Sequence, residues 1–415
     1  MTSRITYLTY DGILEPLGYS QVARVVMALA RRGLPYRLVS FERASRLADR
    51  ARVAALEGQL AEADVPWERF AYAEGGLKAF PRNAAAAVQA LSRHRTTTSL
   101  VHARSYVAAL VGRTLQQRFG IPYLFDARGY WVDERRETGR LFRAPPVLLA
   151  ARRLERNLYE HASAMVGLTQ LHVDDVEGHG FGRWRGGPTA AIPTCADYDE
   201  FTLREDAGDA PPDARLCGRF VLGLVGSLNF SYHSRESLEL ARRVLALRDD
   251  ALLLIATQQT EAFAALAREV GVPSERLIVR TIPHVEMPRW TRHLDAVPQL
   301  LIASHSKRGS MPTKLAELFA AGVRPIHVGC NDEVSSWVRR AGTGLVLDDV
   351  TPSSLEEAAR QVAGWRRDVA LLRAGRAITA PHFALASGVE RYVELFAALG
   401  IASSPAKGGT VCAAS

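Results

Sequence analysis

The sequence predicts an α/β protein with two domains, each built on a parallel β-sheet. Short apolar runs alternate with amphipathic helical stretches along most of the chain, which is typical of parallel strands joined by crossover helices. A polar segment rich in Pro, Asp and Gly, residues 202–219, interrupts this alternation and is predicted to be a linker. With 415 residues, the chain is long enough for two domains of ordinary size.

The first domain is predicted to span residues 1–201 and to begin with a strand in RITYLTY. The next stretch, SQVARVVMALARRG, predicts a helix that ends at Gly33, with one apolar face formed by Val22, Val25, Val26 and Leu29. Further short strands are predicted in YRLVSF, SLVHARS, PYLFDAR, AMVGLT and TAAIPT.

The second domain is predicted to span residues 220–382 and to repeat the same alternation. Its predicted strands are FVLGLVG, ALLLIAT, RLIVRT, PQLLIAS, RPIHVG and TGLVLD. Its predicted helices are SRESLELARRVLAL, TEAFAALAREVG, PTKLAELFAAG and EVSSWVRRAG. A helix in GVERYVELFAALG closes the fold, and the small, polar residues of 403–415 predict a disordered tail.

Composition narrows the classes of function. The four cysteines form no CxxC pair, which argues against a zinc site or a disulfide framework, and no apolar run is long enough to span a membrane. The first residues lack the apolar core of a signal peptide, so we expect a cytoplasmic protein.

The net charge of +8 favours anionic partners or simply reflects the use of Arg in the genome. We expect no nucleic-acid partner, since no RNP-type signature or basic recognition helix occurs.

The stretch SKRGSMPTKLAELFAAG, residues 306–322, holds two of the four lysines among 52 basic residues. It follows a predicted strand, with Pro312 at the expected first helical position and Ser310 as the expected cap. A helix N-terminus attracts phosphate, and Lys307 and Lys314 would add compact positive charges. The alternative is an ordinary capped helix with solvated lysines.

Two further features fit a nucleotide site. Glu317 lies on the same helix face as Lys314, where it either forms a surface ion pair or accepts hydrogen bonds from ribose hydroxyls. In the loop YDGILEPLGYSQV, Gly18 permits a close backbone approach. Neither a GxGxxG fingerprint nor a P-loop occurs, which weakens nicotinamide-cofactor and P-loop interpretations.

Polar side chains also cluster after strands, where parallel sheets bind ligands. In the first domain these are His102, Arg104, Tyr106, Asp126, Arg128, Trp131, Asp133 and Glu134. Arg104 and Arg128 are the best candidates for substrate binding, although each of these side chains could instead form a local salt bridge. In the second domain, Gly226 and Ser227 occupy a strand–helix loop, where Gly226 either approaches a ligand or serves only to turn the chain.

The segments YDGILEPLGYSQV, HARSY, FDARGYWVDE and SKRGSMPTKLAELFAAG together resemble the family-4-like branch of the GT-B glycosyltransferases. The resemblance implies two Rossmann-like domains facing each other across a cleft. It further implies that the last helix, 383–402, crosses back to the first domain. The first domain would bind the acceptor, and the candidate residues are His102, Arg104, Tyr106, Trp131, Asp133 and Glu134. The second would bind a nucleotide-diphosphate sugar, with Gly226 and Ser227 among the candidate residues. Family members usually retain anomeric configuration and need neither a metal nor a cofactor.

Matched by position, Ser310, Thr313 and Lys314 correspond to the family's diphosphate-binding loop and Glu317 to its ribose-binding Glu. Gly18 matches the glycine near the reacting sugar. The chain departs from the pattern elsewhere. Gly309 replaces the first Glu of the usual pair, and GSLNFSYHS lacks the usual Arg and Lys of the loop that Gly226 and Ser227 begin.

The family's N-domain His is also unmatched, and Asp126 and Arg128 stand in that region. We therefore expect Lys307, Lys314, Asp126 and Arg128 to carry catalysis, with the lysines neutralising the leaving diphosphate.

The sequence thus predicts a glycosyltransferase that moves sugar from a nucleotide sugar to a glycan, either a cell-surface polysaccharide or a lipid-linked oligosaccharide. A small natural product is the alternative acceptor, and a non-catalytic nucleotide-sugar- or glycan-binding protein is the alternative function. The segment RRETGRLFRAPPVLLAARRLER mixes Arg with apolar residues, which indicates peripheral contact with the anionic inner face of the plasma membrane or a solvated helix face.

Overall fold

The computed structural model describes residues 3–74, 79–139, 144–228, 231–329 and 331–403. The chain forms two compact units, Met1–Ile192 with Gly388–Ser415, and Pro193–Ser387. Each unit contains one parallel sheet with helices packed against it, so the predicted α/β class is confirmed. Among the described residues, no helix has the length and apolar character that a membrane crossing requires.

The first unit is built on a seven-stranded sheet with the order β3-β2-β1-β4-β5-β6-β7. All neighbouring strands are parallel. The strands are β1 (Arg4–Thr9), β2 (Tyr36–Glu42), β3 (Trp67–Ala71), β4 (Thr98–Arg104), β5 (Tyr123–Asp126), β6 (Ala164–Gly167) and β7 (Thr189–Ala191). The order reverses direction between β1 and β4, and ligands of open α/β sheets bind at such a switch point.

Helices connect these strands, and the longer ones bury apolar side chains on the side that faces the sheet. They are α1 (Pro16–Gly18), α2 (Arg24–Arg31), α3 (Ala44–Leu47), α4 (Arg50–Glu62), α5 (Phe80–Arg93), α6 (Ser105–Phe119), α7 (Trp131–Glu137), α8 (Pro145–His161) and α9 (Gln170–Glu177). A π-helical turn, Tyr19–Ala23, joins α1 to α2. The predicted first helix therefore exists, but its first turn is wider than an α-helix.

The second unit is built on a six-stranded parallel sheet with the order β10-β9-β8-β11-β12-β13. The strands are β8 (Phe220–Val225), β9 (Ala251–Ala256), β10 (Leu277–Arg280), β11 (Ala296–Gln299), β12 (Arg324–Val328) and β13 (Leu345–Leu347). The helices are α10 (Arg204–Ala207), α11 (Ser234–Leu247), α12 (Thr260–Val270), α13 (Met287–Thr291), α14 (Leu315–Ala320), α15 (Asp332–Ala341), α16 (Pro352–Ala363) and α17 (Val369–Phe383). Here the switch point lies between β8 and β11.

The break between the units follows Ile192, before the predicted end of the first domain at residue 201. The segment 202–219, predicted as a linker, lies inside the second unit. Leu203 and Leu216 are buried in it, and an Arg204 guanidinium nitrogen lies 3.5 Å from a carboxylate oxygen of Asp295. This mostly polar segment is thus attached to the second unit by two buried leucines.

The strand predicted in PQLLIAS is displaced, since β11 ends at Gln299. The backbone after Gln299 instead forms hydrogen bonds with the segment that follows β8. The amide of His233 donates to the carbonyl of Leu300 at 2.8 Å, and the amide of Ile302 donates to the carbonyl of Ser231 at 2.9 Å. These bonds tie the chain that follows β8 to the chain that follows β11.

The last helix, α18 (Leu385–Ala398), adds its residues from Gly388 onward to the first unit. Tyr392 and Phe396 are buried there, with ring centroids 5.4 Å and 6.1 Å from that of His102 on β4. The first unit is therefore assembled from both ends of the chain. Most of the predicted disordered tail, from residue 404 on, lies outside the described residues.

Candidate functional site

A charged cluster occupies the switch point of the first sheet. Arg104, the last residue of β4, donates from Nε to Asp11 Oδ2 at 2.8 Å and from Nη2 to Gln21 Oε1 at 2.6 Å. Asp11 follows β1, and Gln21 lies in the π-helical turn. Arg104 is almost fully buried, whereas Asp11 is half exposed. The cluster therefore reaches from the interior of the domain to its surface.

Asp126, at the end of β5, is the buried centre of this cluster. Its carboxylate lies 3.5 Å from Arg128 Nη1, 3.7 Å from Arg104 Nη1 and 3.7 Å from His102 Nε2. The hydroxyl of Tyr392 donates to it at 3.4 Å. Burial alone would raise the pKa of Asp126, but Arg128, His102 and Arg104 together lower it to about 2.

The imidazole of His102 is fully buried in the same cluster. Its Nδ1 lies 3.1 Å from the hydroxyl of Tyr36. Burial lowers the pKa of His102, and the nearby carboxylate of Asp126 opposes this only in part. The ring is therefore neutral at neutral pH, while Asp126 is ionised.

Two residues at this sheet edge adopt a left-handed backbone although neither is glycine. Ser105 has a φ of 68° directly after β4, and Arg128 has a φ of 59° shortly after β5. Such residues cost roughly 1–2 kcal/mol each and tend to occur at functional sites. Their position beside Arg104 and Asp126 supports a functional role for this edge.

The loop that carries Asp11 is held by a buried carboxylate. Glu42, the last residue of β2, accepts hydrogen bonds from the amides of Ile13 at 2.9 Å and Leu14 at 3.1 Å. A side chain on Gly18 would place Cβ 2.0 Å from the carbonyl oxygen of Gly12. The close approach predicted at Gly18 is therefore made to the loop itself.

The other predicted acceptor residues form a second cluster. Tyr106 is buried and donates to Glu155 Oε1 at 3.0 Å, and its ring stacks on Trp131 at a centroid distance of 5.4 Å. Asp133 is buried and paired with Arg152, which also donates to Glu155 at 2.6 Å. Glu134 is half-buried on the same short helix, α7. These side chains reinforce the packing of α7 and α8.

In the second unit, the chain leaves β11 through a 3-10 turn, His305–Gly309, and reaches α14. Lys314 donates from Nζ to Glu317 at 3.0 Å and 3.2 Å. Glu317 is buried and Lys314 is about a quarter exposed. A buried carboxylate is costly unless it is paired, so the lysine stabilises its charge. The pair lies at the carboxyl edge of the sheet, next to the switch point.

The predicted helix start in this segment is wrong. Lys314 is the N-terminal flanking residue of α14, and the segment from Ser310 to Thr313 is not helical. The hydroxyl of Ser310 donates to the carbonyl of Ser306 at 3.2 Å and caps no helix. Pro312 is buried and its carbonyl accepts from the amide of Leu315 at 3.1 Å, which forms a turn before the helix. Thr313 is half-buried in that turn.

The side chain of Asn331 joins this loop to helix α15. Asn331 donates from Nδ2 to the carbonyls of Lys307 at 2.6 Å and Ser310 at 2.7 Å, and its Oδ1 accepts from the amide of Val334 at 3.1 Å.

Gly226 and Ser227 are exposed just after β8, with Gly226 at a φ of 138°. Asn229 and Phe230, farther along that loop, lie outside the described residues.

Sequence reasoning missed four contributors to these sites, which are Gln21, Glu42, Asn331 and Tyr392. Gln21 and Asn331 act through local geometry that no motif encodes, and Tyr392 comes from a distant part of the chain. A carboxylate at the end of the apolar run of β2 was the one available signal, and it pointed to Glu42. Within the described part of the chain, no group of three or more His, Cys, Asp or Glu side chains is arranged to hold a metal ion.

Residues 20–191 match the family model of the glycosyl transferase 4-like domain. No curated protein matches the chain in sequence. HepE from Anabaena, solved with UDP and glucose, is similar in structure with a TM-score of 0.69 and 15% identity, over 95% of this chain and 99% of that one. Sucrose-phosphate synthase from Thermosynechococcus elongatus gives a TM-score of 0.65 and 14% identity, over 96% and 99%.

A UDP-N-acetylglucosamine 2-epimerase is similar as well, with a TM-score of 0.64 and 10% identity, over 99% of this chain and 100% of that one. At these identities the matches show the fold alone. They confirm the GT-B architecture, and the family model confirms the predicted resemblance in the first unit.

The buried histidines make stability depend on pH. His172 is fully buried, its Nε2 lies 2.9 Å from the hydroxyl of Tyr159, and burial lowers its pKa from 6.5 to about 3. Between these values only the unfolded chain takes up the proton, so the free energy of unfolding falls as the pH decreases. We expect H172Q to make this slope shallower by up to about 1.4 kcal/mol per pH unit, measured by urea unfolding between pH 6 and 4.

The control is V173A, which shortens the buried side chain next to His172 without changing a titratable group and should leave the slope unchanged. An H172Q slope equal to that of the wild type would contradict the interpretation that burial keeps His172 neutral.

Proposed function

We propose that this chain, with its glycosyl transferase 4-like first domain and its GT-B fold, transfers a sugar from a nucleotide-diphosphate sugar to a hydroxyl of a glycan acceptor. The observation that carries the proposal is the Lys314–Glu317 pair beside the switch point of the second sheet. It places a cation and a carboxylate where open α/β sheets bind ligands. The complex of HepE with UDP and glucose supports a nucleotide sugar as the donor.

In this proposal, the bound donor replaces the contact between Lys314 and Glu317 with its own contacts to both side chains. Ribose hydroxyls donate to Glu317, and Lys314 turns to the diphosphate, joined by Lys307. Positive charge beside the leaving diphosphate stabilises the transition state more than the ground state, because charge grows on the leaving oxygen. The resemblance supports retention of anomeric configuration, which NMR spectroscopy of the product would establish.

The cluster around Asp126 supports acceptor binding in the first domain. A carboxylate with a pKa of about 2 is a weak base at neutral pH, so we propose that Asp126 orients Arg104 and Arg128. Asp11, half exposed at the mouth of the cluster, is then the group placed to accept a hydrogen bond from an acceptor hydroxyl.

A non-catalytic binding protein is the second candidate, because Gly309 stands where the family's first Glu is expected. The structural similarity to a UDP-N-acetylglucosamine 2-epimerase makes epimerisation of the donor a third candidate activity on the same fold. Mass spectrometry of a nucleotide-sugar panel detects transfer, and NMR spectroscopy of the recovered donor detects epimerisation, which leaves the mass of the donor unchanged. Transfer requires an added acceptor, epimerisation changes the donor without one, and a binding protein leaves the donor intact. Testing glycans and small natural products as acceptors distinguishes the two classes of substrate.

The first prediction from the proposed function concerns the ion pair. If Lys314 acts on the leaving diphosphate, K314A should lower turnover by roughly 10²–10³ and weaken donor binding less. K314R should recover only part, since a planar guanidinium does not replace a compact ammonium. E317Q should instead raise KM for the donor. The measurement is steady-state kinetics with the donor varied.

The matched control is the exposed pair Arg360–Glu357 on α16, which has the same spacing of three residues. R360A and E357Q should leave both constants unchanged. A folded K314A enzyme with wild-type turnover and donor affinity would show that the lysine is only a surface charge.

The second prediction concerns metals and cofactors. If Lys314 and Lys307 supply the positive charge at the diphosphate, the reaction needs no added cofactor. Turnover should then stay within about twofold after treatment with EDTA and gel filtration, measured with the same donor and acceptor. A complete loss that Mg²⁺ restores would contradict the proposed role of the lysines.

The third prediction concerns a membrane surface. Helix α8 exposes Val147, Leu149 and Leu154 by 50%, 53% and 41%, and Arg153 and Arg156 are exposed beside them. Apolar side chains rimmed by arginine suit the interface of an anionic bilayer. We expect flotation with vesicles that contain phosphatidylserine at low salt, release at high salt, and loss of binding in L149E. The control, V285E, alters an exposed valine in the second unit. Absence of binding at low salt would refute this surface.

A further inference from the structure

We propose that Asn331 is a positioning residue for the loop that binds the donor diphosphate, an inference that rests on the proposed function. Asn331 lies at the start of α15 and is 1% exposed. Its amide nitrogen donates to two carbonyls of the loop between β11 and α14, those of Lys307 and Ser310. Both residues belong to the segment that carries the predicted diphosphate contacts.

These two bonds determine which way the loop directs its peptide groups. In a trans peptide, the carbonyl and the following amide point in opposite directions. Because the carbonyls of Lys307 and Ser310 accept from Asn331, the amides of the following residues, Arg308 and Met311, point away from it. The amide of Arg308 belongs to the 3-10 turn His305–Gly309, so the bond to Lys307 holds that turn in place. The bond to Ser310 sets the direction of the Met311 amide in the segment between that turn and α14, and a backbone amide held in one direction can donate to a phosphate oxygen.

The side chain of Asn331 also caps helix α15, and a substitution can separate this structural role from the positioning of the loop. Its Oδ1 caps α15 by accepting from the amide of Val334. Aspartate caps a helix as well as asparagine does, and its charge suits a helix N-terminus. However, an ionised aspartate donates no hydrogen bond. N331D therefore keeps the cap and replaces two attractive contacts with the carbonyls of Lys307 and Ser310 by repulsive ones.

The experiment is calorimetric titration of the wild-type protein, N331D and N331S with a panel of nucleoside diphosphates, beginning with UDP. We expect N331D to weaken the best ligand of the panel by at least about tenfold, since two net hydrogen bonds are lost. N331S, which retains a capping oxygen but lacks the amide, should weaken it in the same direction. In steady-state kinetics, KM for the donor should rise more than kcat falls.

The matched control is N83D in the first unit. Asn83 is also buried, at 4% exposure, and donates from Nδ2 to the carbonyl of Ala73 at 3.1 Å. The same substitution there should leave nucleotide affinity unchanged, which separates loop positioning from a general effect of a buried carboxylate. Unfolding curves for all variants verify that each is folded.

The outcomes distinguish this inference from the proposed function. If the wild-type protein binds a nucleoside diphosphate and both Asn331 variants bind it equally well, the inference is overturned and the proposed function stands. If N83D weakens binding as much as N331D does, the positioning role is likewise overturned. If the wild-type protein binds none of the panel, the proposed function fails and this inference fails with it.

Discussion

The parallel arrangement of both sheets is the constraint on which the rest of the structure depends. Every strand of a parallel sheet ends at the same edge, so residues far apart in sequence meet there. Asp11 follows β1, Arg104 and Asp126 are the last residues of β4 and β5, and the three form one charged cluster. In the second unit, the same constraint places the loop after β11 beside the chain that follows β8. Sites on this fold therefore consist of short segments from several strand ends.

Much of this organisation could be predicted from sequence, because hydrophobic periodicity reports which segments are buried. The alternation of apolar runs and amphipathic stretches gave the fold class and most strands. The polar edge residues Arg104, Asp126 and Arg128 could be identified because they directly follow those runs. The local backbone conformation of Gly- and Pro-containing segments was harder to predict from sequence. Helix α14 begins at Leu315, since Pro312 lies in a turn, and the segment 202–219 hides two buried leucines.

The contributors that sequence could not reveal share a physical reason. Gln21 contacts Arg104 from a π-helical turn, and no residue pattern signals that turn. Asn331 binds carbonyl groups, which every residue possesses, so its partners leave no trace in sequence. Tyr392 reaches Asp126 from 266 positions farther along the chain. A buried charge is thus held by groups whose sequence positions are unrelated, and only the folded backbone connects them.

The position of α18 also constrains how the protein is made. The first unit takes its final helix from the end of the chain, and Tyr392 and Phe396 pack against its buried His102. Domains commonly fold as they emerge from the ribosome, the N-terminal one first. Here the core of the first unit is complete only once Tyr392 and Phe396 have been translated, and the whole of Pro193–Ser387 precedes them. The second unit therefore has all of its residues before the first unit does.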